Sequence, residues 1–162
     1  PLDPVVITFG KITGGSAYNV LAEKVNLIGT VRCTNLILFK NLENWLNESI
    51  SSIVKSLGAE VKLKFRVIAP PVNNNFEINK IIRESAIQVL GKENIVELQK
   101  PSLGAEDFAE FLNEVPGAMF RLGVSNKDDC APLHSSEFNP DERAIAVGVK
   151  VITKSIVDLN KN

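Results

Sequence analysis

The chain has 162 residues, room for one domain or two small ones, and its 44% hydrophobic and 23% charged content is ordinary for a soluble globular protein. A net charge of −1, with no run of basic residues, gives no electrostatic case for nucleic acid or an anionic membrane as partner. No apolar run approaches the ~18 residues of a membrane span, no signal peptide is visible, and the widely spaced Cys33 and Cys130 form no CxxC pair and suit a reducing cytoplasm.

After a turn-rich start at Pro1 to Pro4, Val5-Val6-Ile7-Thr8-Phe9 reads as a strand because it is β-branched and aromatic. Residues 10–20 then read as a connection, with Gly14-Gly15 permitting positive φ or a close backbone approach. Val25 to Arg32 is a second strand. Val25, Leu27 and Val31 share one face, Asn26, Thr30 and Arg32 the other, and Gly29 marks a bulge. Arg32 is a solvated charge or, by its planar fork, an anion clamp. Leu36-Ile37-Leu38-Phe39 is a strand extension or a buried connection. An amphipathic helix follows, carrying Leu42, Trp45, Leu46, Ile50, Ile53, Val54 and Leu57, with Asn41 as its N-cap and Gly58 at its C-terminal stop. Residues 59–67 alternate: Val61, Leu63, Phe65 and Val67 against Glu60, Lys62, Lys64 and Arg66. That pattern predicts a strand with one buried face, hence an antiparallel or mixed sheet covered by helices on one side.

Pro70-Pro71 and the asparagines at 73–75 place a domain boundary near residue 70. Beyond it, Ile78, Ile81, Ile82, Ala86, Val89 and Leu90 predict a helix ending at Gly91, and 95–98 a short strand. A short helix opens at 103–107 and turns Phe108, Phe111, Leu112 and Val115 inward. A buried strand is expected over 118–124 and a polar loop over 126–129. A last helix is capped by Asn139, followed by Pro140, Asp141 and Glu142, with Ile145, Val149, Ile152, Ile156 and Leu159 on its apolar line.

Few residues could carry chemistry. His134, the one histidine, is the side chain whose ordinary pKa lies near neutrality, and it sits in the loop before the last helix. Alone it reads as a surface-loop histidine. Glu106-Asp107 alone reads as a helix-start acid pair. Cys130 with His134 is a conceivable nucleophile pair only if the two meet in space. One histidine does not build a catalytic metal centre, which typically takes three protein ligands.

Five stretches in order resemble one family. Gly10-Lys11-Ile12-Thr13-Gly14-Gly15-Ser16-Ala17-Tyr18-Asn19-Val20 resembles G-x-I-x-G-G-x-A-x-N-V, and Gly29-Thr30-Val31-Arg32 resembles G-T-[VI]-R. Gly104-Ala105-Glu106-Asp107-Phe108 resembles G-[GA]-E-D-F. Pro116-Gly117 with Leu122-Gly123, and His134-Ser135 with Phe138, resemble P-G…L-G…H-S-x-x-F. Together they are similar to the C-terminal part of the dinuclear-metal amidohydrolases related to aminoacylase and carboxypeptidases, in the branch that includes hippurate hydrolases and indole-acetyl-amino-acid hydrolases.

The resemblance implies an α+β chain. Residues 1–70 would be a lid, or dimerisation, domain lacking its first strand and helix, and 71–162 the closing segment of a zinc-peptidase-like catalytic domain. It implies hydrolysis of the amide bond of an N-acyl amino acid or small peptide, using two divalent metals such as zinc or manganese, with a glutamate as general base. His134 would be a metal ligand, Asn19, Arg32 and Gly104 would face substrate, and Glu106 and Asp107 would support the pocket floor. The family's other metal ligands and its general base lie upstream of these motifs, so no catalytic residue is expected in this chain. The start at Pro1, with Met119 the sole methionine, predicts a processed product or a cut piece, inactive alone and holding no metal. Thr13 stands where many relatives have histidine, Ala22 where a proline is common, and Cys33-Thr34-Asn35 replaces the commoner T-F-D. Unpaired sheet edges would favour association, with a homodimer through the lid. The alternative function is a non-catalytic dimerisation or binding module.

Overall fold

The computed structural model describes residues 5–125 and 130–161, so the expectations for residues 1–4 and for the 126–129 loop fall outside the described part. The chain is α+β. Its elements are strands β1 (Val5–Gly14) and β2 (Val25–Cys33) and helices α1 (Leu36–Ser56), α2 (Phe76–Leu90), α3 (Phe108–Glu114) and α4 (Arg143–Leu159). Two units form: residues 1–72 with 100–110, and residues 73–99 with 111–162.

In the first unit, β1 and β2 pair antiparallel, with Val5 opposite Cys33, Ile7 opposite Val31 and Ile12 opposite Leu27. β1 is longer than the expected five residues, because Lys11, Ile12 and Thr13 continue the ladder. The bulge expected at Gly29 lies instead on the partner strand, where Phe9 pairs with Gly29 and Lys11 with Ile28, leaving Gly10 as the extra residue. The bulge has a patterning consequence. A strand alternates faces with period two, so the inserted residue shifts parity and returns Ile12 to the face of Val5, Ile7 and Phe9. Gly29 serves close approach, since a Cβ there would stand 2.3 Å from the Thr8 carbonyl oxygen.

α1 begins earlier than expected. Asn35 is its N-cap, with its side chain accepting the Leu38 N–H at 2.9 Å, and the 36–39 run is helical. Asn41 is not a cap; it lies inside the helix and donates to the Ile37 carbonyl. Leu42 and Leu46, one turn apart, are buried, while Trp45, Ile53 and Leu57 on the expected apolar line are exposed. Gly58 at φ 73° stops the helix in the left-handed conformation. Residues 59–67 keep only part of the expected alternation, with Leu63 and Phe65 half-buried but Val61 and Val67 exposed like Glu60, Lys62, Lys64 and Arg66, and they are not assigned as a strand. A strand exists only as part of a ladder, and among the described residues this segment has no ladder partner.

In the second unit α2 packs on α4. Asn75 caps α2 by accepting the Ile78 N–H, and Gly91 ends it as expected. Gly148, Val151 and Ser155 form the buried face of α4. The expected inward line of Ile145, Val149, Ile152 and Ile156 is exposed. A Cβ on Gly148 would stand 3.0 Å from the Leu122 side chain, so part of this buried face lies under residue 122, and α4 is left apolar on a second side. The fully buried Ser85 hydroxyl donates to Asp158 at 2.8 Å, tying α2 to α4. Bonds from Lys154, Ser85 and Lys161 hold the Asp158 carboxyl down at about 2.

The segments expected as strands at 95–98 and 118–124 also carry no ladder among the described residues. Asn74 partly stands in for one: its amide donates to the Met119 carbonyl at 2.8 Å and accepts the Met119 N–H at 2.9 Å. The Asn75 N–H adds a bond to the Gly117 carbonyl. α4 starts at Arg143 rather than just after Asn139. The Asp141 N–H is taken by the Val124 carbonyl, and its carboxylate accepts the Arg143 N–H and guanidinium, which holds Asp141 at about 2. Phe111 and Val115 of the expected inward face of α3 are exposed, and Ala109 is the buried residue. No helix among the described residues is long and apolar enough to cross a membrane.

Candidate functional site

The candidate residues divide between the two units. Asn19 lies exposed in the connection between β1 and β2, which leaves the ladder at Gly14 and turns through Gly15 at φ 80°. Arg32 stands near the end of β2, opposite Val6, on the face away from Val31 and Cys33. Its guanidinium donates to the Leu103 carbonyl at 2.8 Å. That carbonyl belongs to the segment carrying Gly104, Glu106 and Asp107, so the first unit brings Arg32 to this loop. The Gly104 N–H is held by the Ser102 hydroxyl at 3.1 Å. Glu106 is half-buried and Asp107 exposed, and their carbonyls accept the Ala109 and Glu110 N–H groups that begin α3. Both acids therefore sit at a helix N-terminus, where negative charge is favourable.

In the second unit, His134 is exposed in the turn closed by the Ser135 N–H on the Pro132 carbonyl at 3.1 Å. It is the third residue of that turn and has φ 70°, the one positive φ outside glycine among the described residues. That turn position calls for glycine or asparagine. A non-glycine residue in the left-handed region costs roughly 1–2 kcal/mol, and such strain is concentrated at functional positions. His134→Gly is therefore expected to leave the thermal stability of the chain unchanged or to raise it by roughly 0–1 kcal/mol, the strain relief being offset by glycine's greater chain entropy. Thermal unfolding followed by circular dichroism measures this. A clear loss of stability would mean that the imidazole is retained for packing.

Cys130 is a free, exposed thiol, and among the described residues no hydrogen bond joins it to His134. The described residues also hold no group of three or more His, Cys, Asp or Glu able to take a metal ion. A catalytic metal takes about three protein ligands, so His134 does not complete a centre here. A cavity of about 340 Å³ in the second unit, bordered by Asn73, Asn75, Asn113 and Glu114, contains none of the candidate residues. The Arg32–Leu103 bond and the Asn74–Met119 clamp were not legible in the sequence, because each has a backbone atom as its distant partner.

The chain matches the model of peptidase family M20/M25/M40 over residues 4–158. It is 37% identical over 155 residues to a protein of Synechocystis sp. described as a probable hydrolase, covering 94% of this chain and 39% of that protein. It is 34% identical over 155 residues to the N-acetyldiaminopimelate deacetylase of Bacillus subtilis, covering 94% of this chain and 40% of the enzyme. Among solved structures, a Bacillus subtilis protein described as a dinuclear metal binding peptidase of the M20 family superposes with a TM-score of 0.78 at 21% identity, over 95% of this chain and 42% of that one. At that identity the likeness is one of fold. The chain spans about 40% of the length of these two relatives.

Proposed function

The chain belongs to peptidase family M20/M25/M40, and from that premise we propose that it is part of a metal-dependent hydrolase that cleaves the amide bond of N-acyl amino acids or small peptides. The observation that carries this reading is His134: an exposed imidazole held at φ 70° in the segment that resembles the family's H-S-x-x-F motif. The Bacillus subtilis relative acts, by its name, on an N-acetylated amino acid, which supports the substrate class.

In this reading His134 offers a neutral ring nitrogen to one of two divalent metals, whose other ligands belong to residues outside this chain. When bound, those metals supply Lewis-acid activation of the amide and of water. Arg32 and Asn19 contribute from the strand unit. The Arg32 fork presents several N–H donors to a carboxylate, and Asn19 presents an amide donor and acceptor. Gly104 leaves the loop surface free of a side chain, and Glu106 and Asp107 shape its exit into α3.

The resemblance puts the family's general base and other metal ligands upstream of the matched motifs, and on that reading the chain alone is expected to be inactive. Incubated with zinc or manganese and N-acetyl amino acids, it should release free amine no faster than buffer, as followed by a ninhydrin or coupled assay. Turnover by the isolated chain, abolished by a chelator, would refute this division of the site.

A specific observation favours a second role alongside the first, that of an association module. β1 and β2 form a two-stranded sheet with both outer edges unpaired among the described residues, and Phe9, Ile12, Val25 and Leu27 on its apolar face are exposed. Open edges and apolar faces promote self-pairing. Light scattering is expected to show dimers or larger species as concentration rises; a strictly monomeric chain at high concentration would count against the module.

A further inference from the structure

We propose that Arg32 is a positioning residue that ties the 100–107 loop to β2 through the Leu103 carbonyl. Residues 100–107 follow a stretch that belongs to the second unit, yet they lie with the strands of the first. Residues 101–105 have no helical or ladder bonds of their own, and among the described residues the one side-chain bond within them is that of the Ser102 hydroxyl on the Gly104 N–H. Among the described residues, Arg32 supplies the one side-chain hydrogen bond between the β1–β2 hairpin and this loop, bridging 71 residues of sequence at 2.8 Å.

The chemistry suits a tether. A guanidinium is a charged donor, and a charged donor on a carbonyl makes a stronger bond than a neutral one. The side chain starts from a strand whose position is fixed by its pairing with Val6, so it anchors the loop to a rigid element. One bond uses one of the five N–H donors of the fork. The rest can meet an anionic group while the loop stays attached, so Arg32 would hold a substrate carboxylate and the Gly104–Glu106 backbone at one point; this last consequence, and not the tether, rests on the hydrolase reading.

The tether is tested by backbone 15N relaxation on the 162-residue chain and two variants. Wild type is expected to show order parameters near the rigid value of about 0.85 at residues 102–106. Arg32→Met, similar in length but without a donor, should drop these below about 0.6 while β1, β2, α2 and α4 keep their values. Arg32→Lys retains one donor, and since the contact is single-point rather than bidentate it should restore the order. A loop equally ordered in Arg32→Met and wild type, or already mobile in wild type, overturns the proposal. If Arg32→Met also disturbs the hairpin, Arg32→Lys decides: an ordered loop supports the tether, and a loop released beside intact β1 and β2 overturns it. No turnover is involved, so this outcome and that of the hydrolase reading are independent.

Discussion

Replacing Leu42 with alanine is expected to lower the thermal midpoint of the first unit by more than about 10 °C. Leu42 is 2% exposed, and with Leu46 at 7% it is one of the two large apolar side chains buried in that unit among the described residues. Truncating a buried leucine costs about 2–5 kcal/mol, since the transfer free energy is lost and a cavity remains. Each kcal/mol moves the midpoint of a domain of this size by roughly 4–8 °C. The unit has little to absorb such a loss, because Phe9, Ile12, Leu27 and Trp45 are exposed and contribute little burial. Leu57→Ala, at 78% exposure, should by contrast shift the midpoint by no more than a degree or two, within the roughly 0.5 kcal/mol usual for surface changes. Equal effects at the two positions would show that Leu42 is not the centre of the α1 packing.

Much of the fold was legible because it is local. The alternation of Val25, Leu27 and Val31 fixes β2, and the four-residue spacing of Ile78, Ile82 and Ala86 fixes α2. The misreadings were of two kinds. A contiguous apolar run such as Leu36 to Phe39 has no periodicity of its own, so its place in α1 became visible only through the Asn35 cap. The other kind needed a distant partner. Residues 59–67, 95–98 and 118–124 carry strand-like composition, but a ladder depends on what lies beside them, and among the described residues nothing pairs with them. The exposed isoleucine line of α4 has the same origin: the pattern marks an apolar stripe, but the face that tertiary packing buries is that of Gly148, Val151 and Ser155.

The site was less legible than the fold. Arg32 read first as a solvated charge and only second as an anion clamp, since its acceptor is the carbonyl of Leu103, 71 residues away, and a backbone atom leaves no trace in composition. The type of His134 and its place in a loop were plain, but its positive φ was not, because nothing in Leu133-His134-Ser135 demands the left-handed conformation. The resemblance of ordered short motifs carried the functional reading, and the match over residues 4–158 places the chain in that family.

The account stands on His134 contributing to a metal centre that other residues complete. The most direct test is a chimera: the 155 aligned residues of the Bacillus subtilis N-acetyldiaminopimelate deacetylase replaced by those of this chain, purified with zinc or manganese and assayed for release of acetate from an N-acetyl amino acid. A bound metal supplies several kcal/mol of charge stabilisation to such a reaction, each 1.36 kcal/mol is tenfold in rate, and removing a ligand weakens the hold on that metal. The chimera is therefore expected to hydrolyse its substrate, and His134→Ala within it to lower the rate by about a thousandfold or more while the protein stays folded and binds less metal. A folded chimera whose turnover and metal content are unchanged by His134→Ala would contradict the account.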